Sequence, residues 1–350
     1  MLSPIVLPPF HPHWLLGNAH LQTMFPALLR PMPRLAIRLE RIELADGDFV
    51  DLGWCGVSTL GAPVAVLVHG LTGGFESKYL RGTALQLIEA GWRVVLLQLR
   101  GGGDEPNRLP RSYHQGDTAD LRMILQLLRE REATTPIALA GWSLGANIVL
   151  KALGEDGDDA IAFCAATACP PFRLRACAER LRQGFSRRYQ SRLLRDMKDQ
   201  LQRKHQRVPA PAGVDIDAAL RATDFIEFDN AYTAPLNGFA DADDYYTRCE
   251  CAPFLKKIRR PTLIVHALDD PFMSPDIVPS PDMLAPSVRL ELSQRGGHVG
   301  FIASGRYGQP LYWLEHRLAN YLTEQLKCRD LAVANEAKNS INESQISATR

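Results

Sequence analysis

Three kinds of side chain in this sequence could cooperate in nucleophilic chemistry: a serine between glycines, a pair of aspartates, and a late histidine. Ser143 lies in Gly141-Trp142-Ser143-Leu144-Gly145, between the apolar stretch 136–142 and a second apolar stretch from 146. A serine hydroxyl is a weak nucleophile at neutral pH, so it needs a base within hydrogen-bond reach and a third group to orient that base. The pentapeptide alone occurs by chance, but here it joins a strand-like segment to a helix-like one. That is the context in which a sharp turn lifts the hydroxyl above a sheet. Side chains at either glycine would then collide with the neighbouring strand and helix, and the helix N-terminus would set backbone N–H groups beside a developing oxyanion. The bland alternative is a small residue in a tight turn.

The order serine, acid, histidine is then completed downstream. Asp269-Asp270-Pro271 follows the apolar run 261–267, and His298 lies in RGGHVGF after the run 288–294. Either aspartate could be the acid, and the other a turn former before proline. Among nine histidines, His298 stands out by position. His69 ends a strand and shapes a turn, His266 lies within a strand, and His11, His13 and His20 belong to a Pro-rich arm with no metal-ligand spacing. The oxyanion donors are assigned to the backbone N–H groups of Leu144, after the serine, and Leu71, in the His69-Gly70-Leu71-Thr72-Gly73-Gly74 loop. A simple Gly-rich connection is the competing reading of that loop. No HExxH, Walker A or GxGxxG occurs, and Gly101-Gly102-Gly103 lacks a phosphate-loop lysine, so neither a metal nor a nucleotide cofactor is expected.

These residues must be positioned by the elements around them. Alternating segments at 36–44 and 48–55 predict an N-terminal hairpin across an Asp-Gly turn. Beyond it, short, nearly continuous apolar runs at 63–70, 92–99, 136–142, 160–168, 261–267 and 288–294 suit strands buried on both faces. Helix-like segments lie between most of them, and a final helix is expected over 307–326. Alternating β and α elements predict an α/β fold with a mostly parallel sheet and helices on both faces. Residues 171–250 break this rhythm and read as a helical cap over the carboxyl edge. Its charge is split, with 12 Lys or Arg against 3 Asp or Glu over 173–207, then 9 acids against 2 bases over 215–250. The halves could pair, and the basic one is either a solvated face or a contact for an anionic group or membrane surface.

The domain reading is an arm at 1–34, a catalytic domain at 35–327 and a disordered tail at 328–350. With 350 residues, 46% hydrophobic, the chain can bury a large core, and its net charge of +1 gives no global field for nucleic acid. No transmembrane run or secretory signal is evident, and the seven scattered cysteines form no CxxC pair, so reduced thiols and a cytoplasmic location are expected.

With these parts assembled, the chain resembles the α/β-hydrolase superfamily, and more narrowly the YheT-like esterases (AB hydrolase 4 family). The likeness is carried by PHWLLGNAHLQTMFPALLRP, HGLTGG, LRGGGDEPNRLPRSYHQGDTADL, GWSLGANIVLKALGE, FIEFDNAYTAPLNGFADADDYY, HALDDPF and GGHVGF, across about residues 8–325. It implies Asp270 rather than Asp269 as the acid, a charge relay of Ser143, His298 and Asp270, and activity on small-molecule carboxylic esters, including lipid-like ones. The sequence departs from the family at Gly101-Gly102-Gly103, where a small polar or Cys residue is more usual, a change expected to alter the pocket floor. The leading expectation is an ester hydrolase working through an acyl-enzyme. An acyltransferase using the same residues, and an idle hydrolase fold serving as a binding module, are the alternatives. Oligomeric state is not written in the sequence.

Overall fold

The computed structural model describes residues 9–347, with side chains to residue 335. Its centre is an eight-stranded sheet: β1 (Arg38–Glu43), β2 (Phe49–Gly56), β3 (Val64–Val68), β4 (Arg93–Gln98), β5 (Ile137–Trp142), β6 (Cys164–Ala168), β7 (Thr262–Ala267) and β8 (Val288–Ser293), in the spatial order β1-β2-β4-β3-β5-β6-β7-β8. The hairpin β1–β2 joins β4 antiparallel, and β4, β3, β5, β6, β7 and β8 run parallel. Every residue of β3 to β7 is buried, in keeping with their largely apolar composition, whereas the edge strand β8 is only partly covered.

Two apolar layers cover the sheet. Strand alternation sends Val64, Val66 and Val68 to one face and Ala65 and Leu67 to the other. On the first face lie α3 (Ala119–Arg131) and α4 (Leu144–Asp156), which contribute Leu121, Ile124, Ile148 and Val149. On the second lie α2 (Lys78–Glu89) and the last helix, running Trp313–Ser347. The small side chains Ala166 and Ala168 of β6 join the same layer as Leu314, Leu318 and Leu322 of that helix. Each buried leucine contributes roughly 1.5–3 kcal/mol.

Two expectations are corrected at the carboxyl end. The segment 307–326 is not helical from its start: Pro310–Tyr312 pairs antiparallel with Ile302–Ser304, because Gly308 and Pro310 favour a turn and an extended start. The tail expected to be disordered from 328 instead continues the last helix through Ser347, in a run with no Gly or Pro to break it. Leu331 and Val333 are exposed there, so this stretch of the helix adds neither of them to the core. Residues 348–350 of the expected tail, and 1–8 of the expected arm, lie outside the described residues.

The interval between β6 and β7 holds helices and no strand among the described residues. Numbered in chain order after α1 (Ala19–Leu28) of the arm, these are α5 (Leu174–Leu181), α6 (Ser186–His205), α7 (Ile216–Arg221), α8 (Phe225–Phe228), α9 (Ala234–Leu236) and α10 (Ala242–Cys249). They enclose a separate apolar cluster built on Leu194, Leu201, Phe225, Phe228, Tyr245 and Tyr246. The acidic half has a local purpose, since Asp215, Asp224 and Asp241 accept backbone N–H bonds at the N-termini of α7, α8 and α10. Pairing between the halves is limited to contacts such as Arg182 with Asp224 and Arg175 with Asp243.

Candidate active site

Ser143 stands between β5 and α4 with φ 53° and ψ −120°, a conformation that strains a residue carrying a Cβ. The flanking glycines make the turn possible. A Cβ on Gly141 would lie 2.5 Å from the Gly145 carbonyl oxygen, and one on Gly145 would strike the Val68 carbonyl oxygen. Among the described residues positive φ also occurs at the non-glycine positions Thr72, Cys169, Val299, Phe301 and Tyr307, the first four in loops that follow the carboxyl ends of sheet strands.

At that edge the structure brings together Ser143, His298 and Asp270. The His298 Nδ1 is 2.7 Å from Asp270 Oδ2, and its Nε2 is 3.0 Å from Ser143 Oγ. With Nδ1–H donating to the carboxylate, Nε2 is left to accept the serine proton. Asp270 is fixed in turn by the Phe272 N–H, which donates to Oδ1 at 2.8 Å. Asp269 turns elsewhere and accepts the Gly297 N–H at 2.9 Å, which holds the histidine loop. The two neighbouring aspartates therefore differ in reach: Asp270 orients the ring, and Asp269 the backbone that carries it.

The expected oxyanion donors flank the serine on the pocket wall. In the 69–74 loop, the Gly70 N–H donates to the Tyr79 hydroxyl and the Thr72 N–H to the Tyr113 hydroxyl. The Leu71 N–H between them has no acceptor among the described residues. Leu144 opens α4, where the first N–H groups lack partners within the helix. His69 anchors this loop: its Nδ1 contacts the Gly70 carbonyl at 2.7 Å, and its Nε2 accepts the Leu99 N–H. Burial lowers its pKa to about 4, so it is neutral and structural.

Several supports carried no readable signal in the sequence. The Phe272 ring stacks on His298 with centroids 4.0 Å apart and planes 7° apart, and Tyr189 of α6 packs against Phe272. The Ser186 hydroxyl, at the start of α6, donates to the Pro271 carbonyl. The cap thus touches the acid loop directly. From the arm, the Thr23 hydroxyl accepts the His298 N–H at 2.9 Å, while the buried Gln22 side chain donates to the Leu16 and Ile302 carbonyls and accepts the Ile302 N–H. The arm is a brace for the histidine loop. Asn18 caps α1, its side chain accepting the His20 and Leu21 N–H groups.

Cys169 offers a third ligand-type atom beside Asp270 and His298, the three lying within 4.8 Å of one another. Burial first, and Asp270 next, push its thiol well above the ordinary value, and its Sγ accepts the Val299 N–H. A neutral thiol of this kind packs the loop rather than offering a thiolate to a metal. All seven cysteines are unpaired, six of them buried.

A cavity of about 120 Å³ adjoins Ser143, between the sheet edge and the cap. Leu174, Leu181, Met197 and Leu201 give it an apolar wall, and Lys204 and Asp229 add polar groups. Lys204 is tied to the body by three acceptors, Asn107 Oδ1, the Arg111 carbonyl and Ser112 Oγ. Burial pulls its pKa down to about 7. Gly101 also lines the cavity, so the departure noted in the Gly101-Gly102-Gly103 run does fall on the pocket.

Comparison with known proteins agrees with this architecture. Residues 63–304 match the family model described as alpha/beta hydrolase fold. The chain is 39% identical over 315 residues to "Putative esterase YheT" of Escherichia coli (strain K12), covering 89% of this chain and 92% of that one. It is 28% identical over 307 residues to "Phospholipase ABHD3" of Homo sapiens, covering 85% and 75% respectively. Among solved structures, the Pyrococcus furiosus esterase Pf2001 superposes with a TM-score of 0.53 at 14% identity, over 84% of this chain and 92% of that one, a likeness of fold.

Proposed function

The chain belongs to the α/β-hydrolase fold family, and from that premise we propose that it is a serine hydrolase of carboxylic esters. The observation that carries the reading is the continuous contact from Asp270 through His298 to Ser143 Oγ, at 2.7 and 3.0 Å, beside an apolar cavity. His298 takes the serine proton as Oγ attacks the ester carbonyl. Asp270 holds the imidazole in the Nδ1–H tautomer and stabilises the imidazolium. The Leu71 and Leu144 N–H groups receive the negative charge on the tetrahedral oxygen. His298 then protonates the departing alcohol, and later draws a proton from the water that releases the acid from the acyl-serine.

The apolar wall of the cavity supports an aliphatic acyl group, and the phospholipase named among the relatives makes a lipid ester a reasonable physiological class. Unpaired buried thiols suit a reducing compartment, which supports the cytoplasm. Among the described residues no helix is long and apolar enough to cross a membrane. The test is turnover of p-nitrophenyl esters of graded chain length by wild type and Ser143→Ala. The reading requires activity that falls by about 10⁴-fold or more in the variant, and unchanged turnover overturns it.

Acyl transfer is the second reading, favoured by the predominantly apolar cavity walls, which would disfavour water. Product analysis with a competing alcohol separates the two, since transfer yields a new ester where hydrolysis yields the free acid. A catalytically idle fold would leave Ser143 unlabelled by a fluorophosphonate probe.

A further inference from the structure

Helix α1 presents its surfaces in an unusual sense. Its buried residue is polar: Gln22 has 0% exposure and is bonded into the histidine loop. Large apolar side chains of the same helix and its flanks face outward. Trp14 is 73% exposed and Leu28 56%, and Leu15, Leu21, Leu29 and Met32 are exposed with them. Leu21 and Leu28 lie seven residues apart, hence on one face of the helix, with the half-buried Met24 and Phe25 between them. Exposed apolar residues scattered singly need no explanation, but a row of them on one short segment marks a surface that something covers.

The neighbouring surface is cationic. His20 of α1 lies 4.5 Å from the exposed ring of Phe185, and its Nδ1 is 3.0 Å from the Tyr189 hydroxyl, so α1 abuts the start of α6. From there Arg187, Arg188 and Arg192 are exposed, and none has an ion-pair partner among the described residues. The Arg188 guanidinium lies 5.5 Å from the Phe185 ring. An apolar helical face beside unpaired arginines is the pattern of a segment that lies in a lipid headgroup region, its apolar side chains reaching the acyl boundary and its cations meeting anionic headgroups.

We propose that the outer face of α1 and the first turns of α6 form one docking surface for a bilayer that carries anionic lipid. Charge complementarity decides for a membrane over a second copy of this chain: a two-fold contact through this face would set the arginines of one α6 near those of the other, without acids to neutralise them. The position adds a purpose. Tyr189 and His20 on this face connect through Phe272 to His298, so docking brings the reacting edge of the molecule to the lipid surface.

The experiment is vesicle flotation of the full chain carrying Ser143→Ala, which leaves lipid intact, so the outcome does not depend on the ester-hydrolase reading. Vesicles of phosphatidylcholine alone are compared with vesicles containing 30% phosphatidylglycerol, about a third anionic lipid as a strong test of the charge contribution. The protein is expected to float with anionic vesicles and weakly or not at all with neutral ones, and to be released by high salt. Replacing Arg187, Arg188 and Arg192 with Glu is expected to lower partitioning by about tenfold or more. The double change Leu21→Ser and Leu28→Ser, neither residue buried, is expected to lower it comparably while far-UV circular dichroism stays unchanged. Failure to float with anionic vesicles overturns the proposal. So does full binding by both variants, or a stable dimer in light scattering that the Leu21→Ser and Leu28→Ser change dissolves.

Discussion

The carboxyl edge of the sheet and the cap above it hold their groups by different means. At the edge, backbone does the positioning: Ser143 is fixed by a strained turn between a fully buried strand and a helix, and Asp270 by the Phe272 N–H. In the cap, side chains do it. The buried Asp229 carboxylate accepts the Tyr246 hydroxyl, and the Lys204 ammonium reaches across to the body. Rigid main chain tolerates no change in reacting geometry, whereas a cluster held by side chains can be repacked at moderate cost. Substitutions at the edge should therefore abolish chemistry, and those in the cap should redirect it.

The largest contrast is expected between the adjacent aspartates. Asp270→Asn is expected to lower kcat by about 10³–10⁴-fold, by favouring the wrong imidazole tautomer. Asp269→Asn still offers an oxygen to the Gly297 N–H and should cost about tenfold or less. Steady-state kinetics on one ester reads both, and equal losses would break the distinction. Next in size is Phe272→Ala, which removes the ring stacked on His298 and the cap's contact with it. A fall in kcat of about tenfold with little change in KM is expected, since an aromatic stack contributes about 0.5–1.5 kcal/mol.

Within the cap, Leu201→Phe adds volume to the cavity wall. Activity on a long acyl ester should drop by about tenfold relative to the acetate ester, because each methylene denied burial forfeits about 0.8 kcal/mol. An unchanged chain-length profile would show that the acyl group lies elsewhere. The smallest expected effect concerns stability. Burial raises the Asp229 pKa from 3.8 to about 6, so between those values the folded state binds more protons than the unfolded one. This carboxyl therefore lowers stability as pH rises from about 4 to about 6. Asp229→Asn lacks that decline and should gain about 1–2 kcal/mol relative to wild type on going from pH 4 to pH 7 in urea melts.

The sheet could be read from composition because each central strand is covered on both faces, which forces an unbroken apolar run such as 64–68. Ser143, Asp270 and His298 could be read because the strand ends that carry them follow one another in a fixed order, although choosing Asp270 over Asp269 needed the family resemblance. The arm could not. Its helix buries Gln22 and exposes Leu28, the reverse of the pattern that sequence reading relies on. The stack of Phe272 on His298 likewise arises from two loops 26 residues apart, with no local periodicity to announce it. The end of the chain misled for a different reason: polar composition without apolar spacing describes a disordered tail and a solvated helix equally well.

The central claim is that Ser143 forms the acyl bond. Wild type and Ser143→Ala should be exposed to a fluorophosphonate and the labelled peptide identified by mass spectrometry, with ester turnover followed in parallel. The account predicts a single adduct on the peptide containing Ser143, loss of turnover in step with labelling, and no adduct in the variant. An adduct on another residue, or turnover that survives complete labelling, would contradict it.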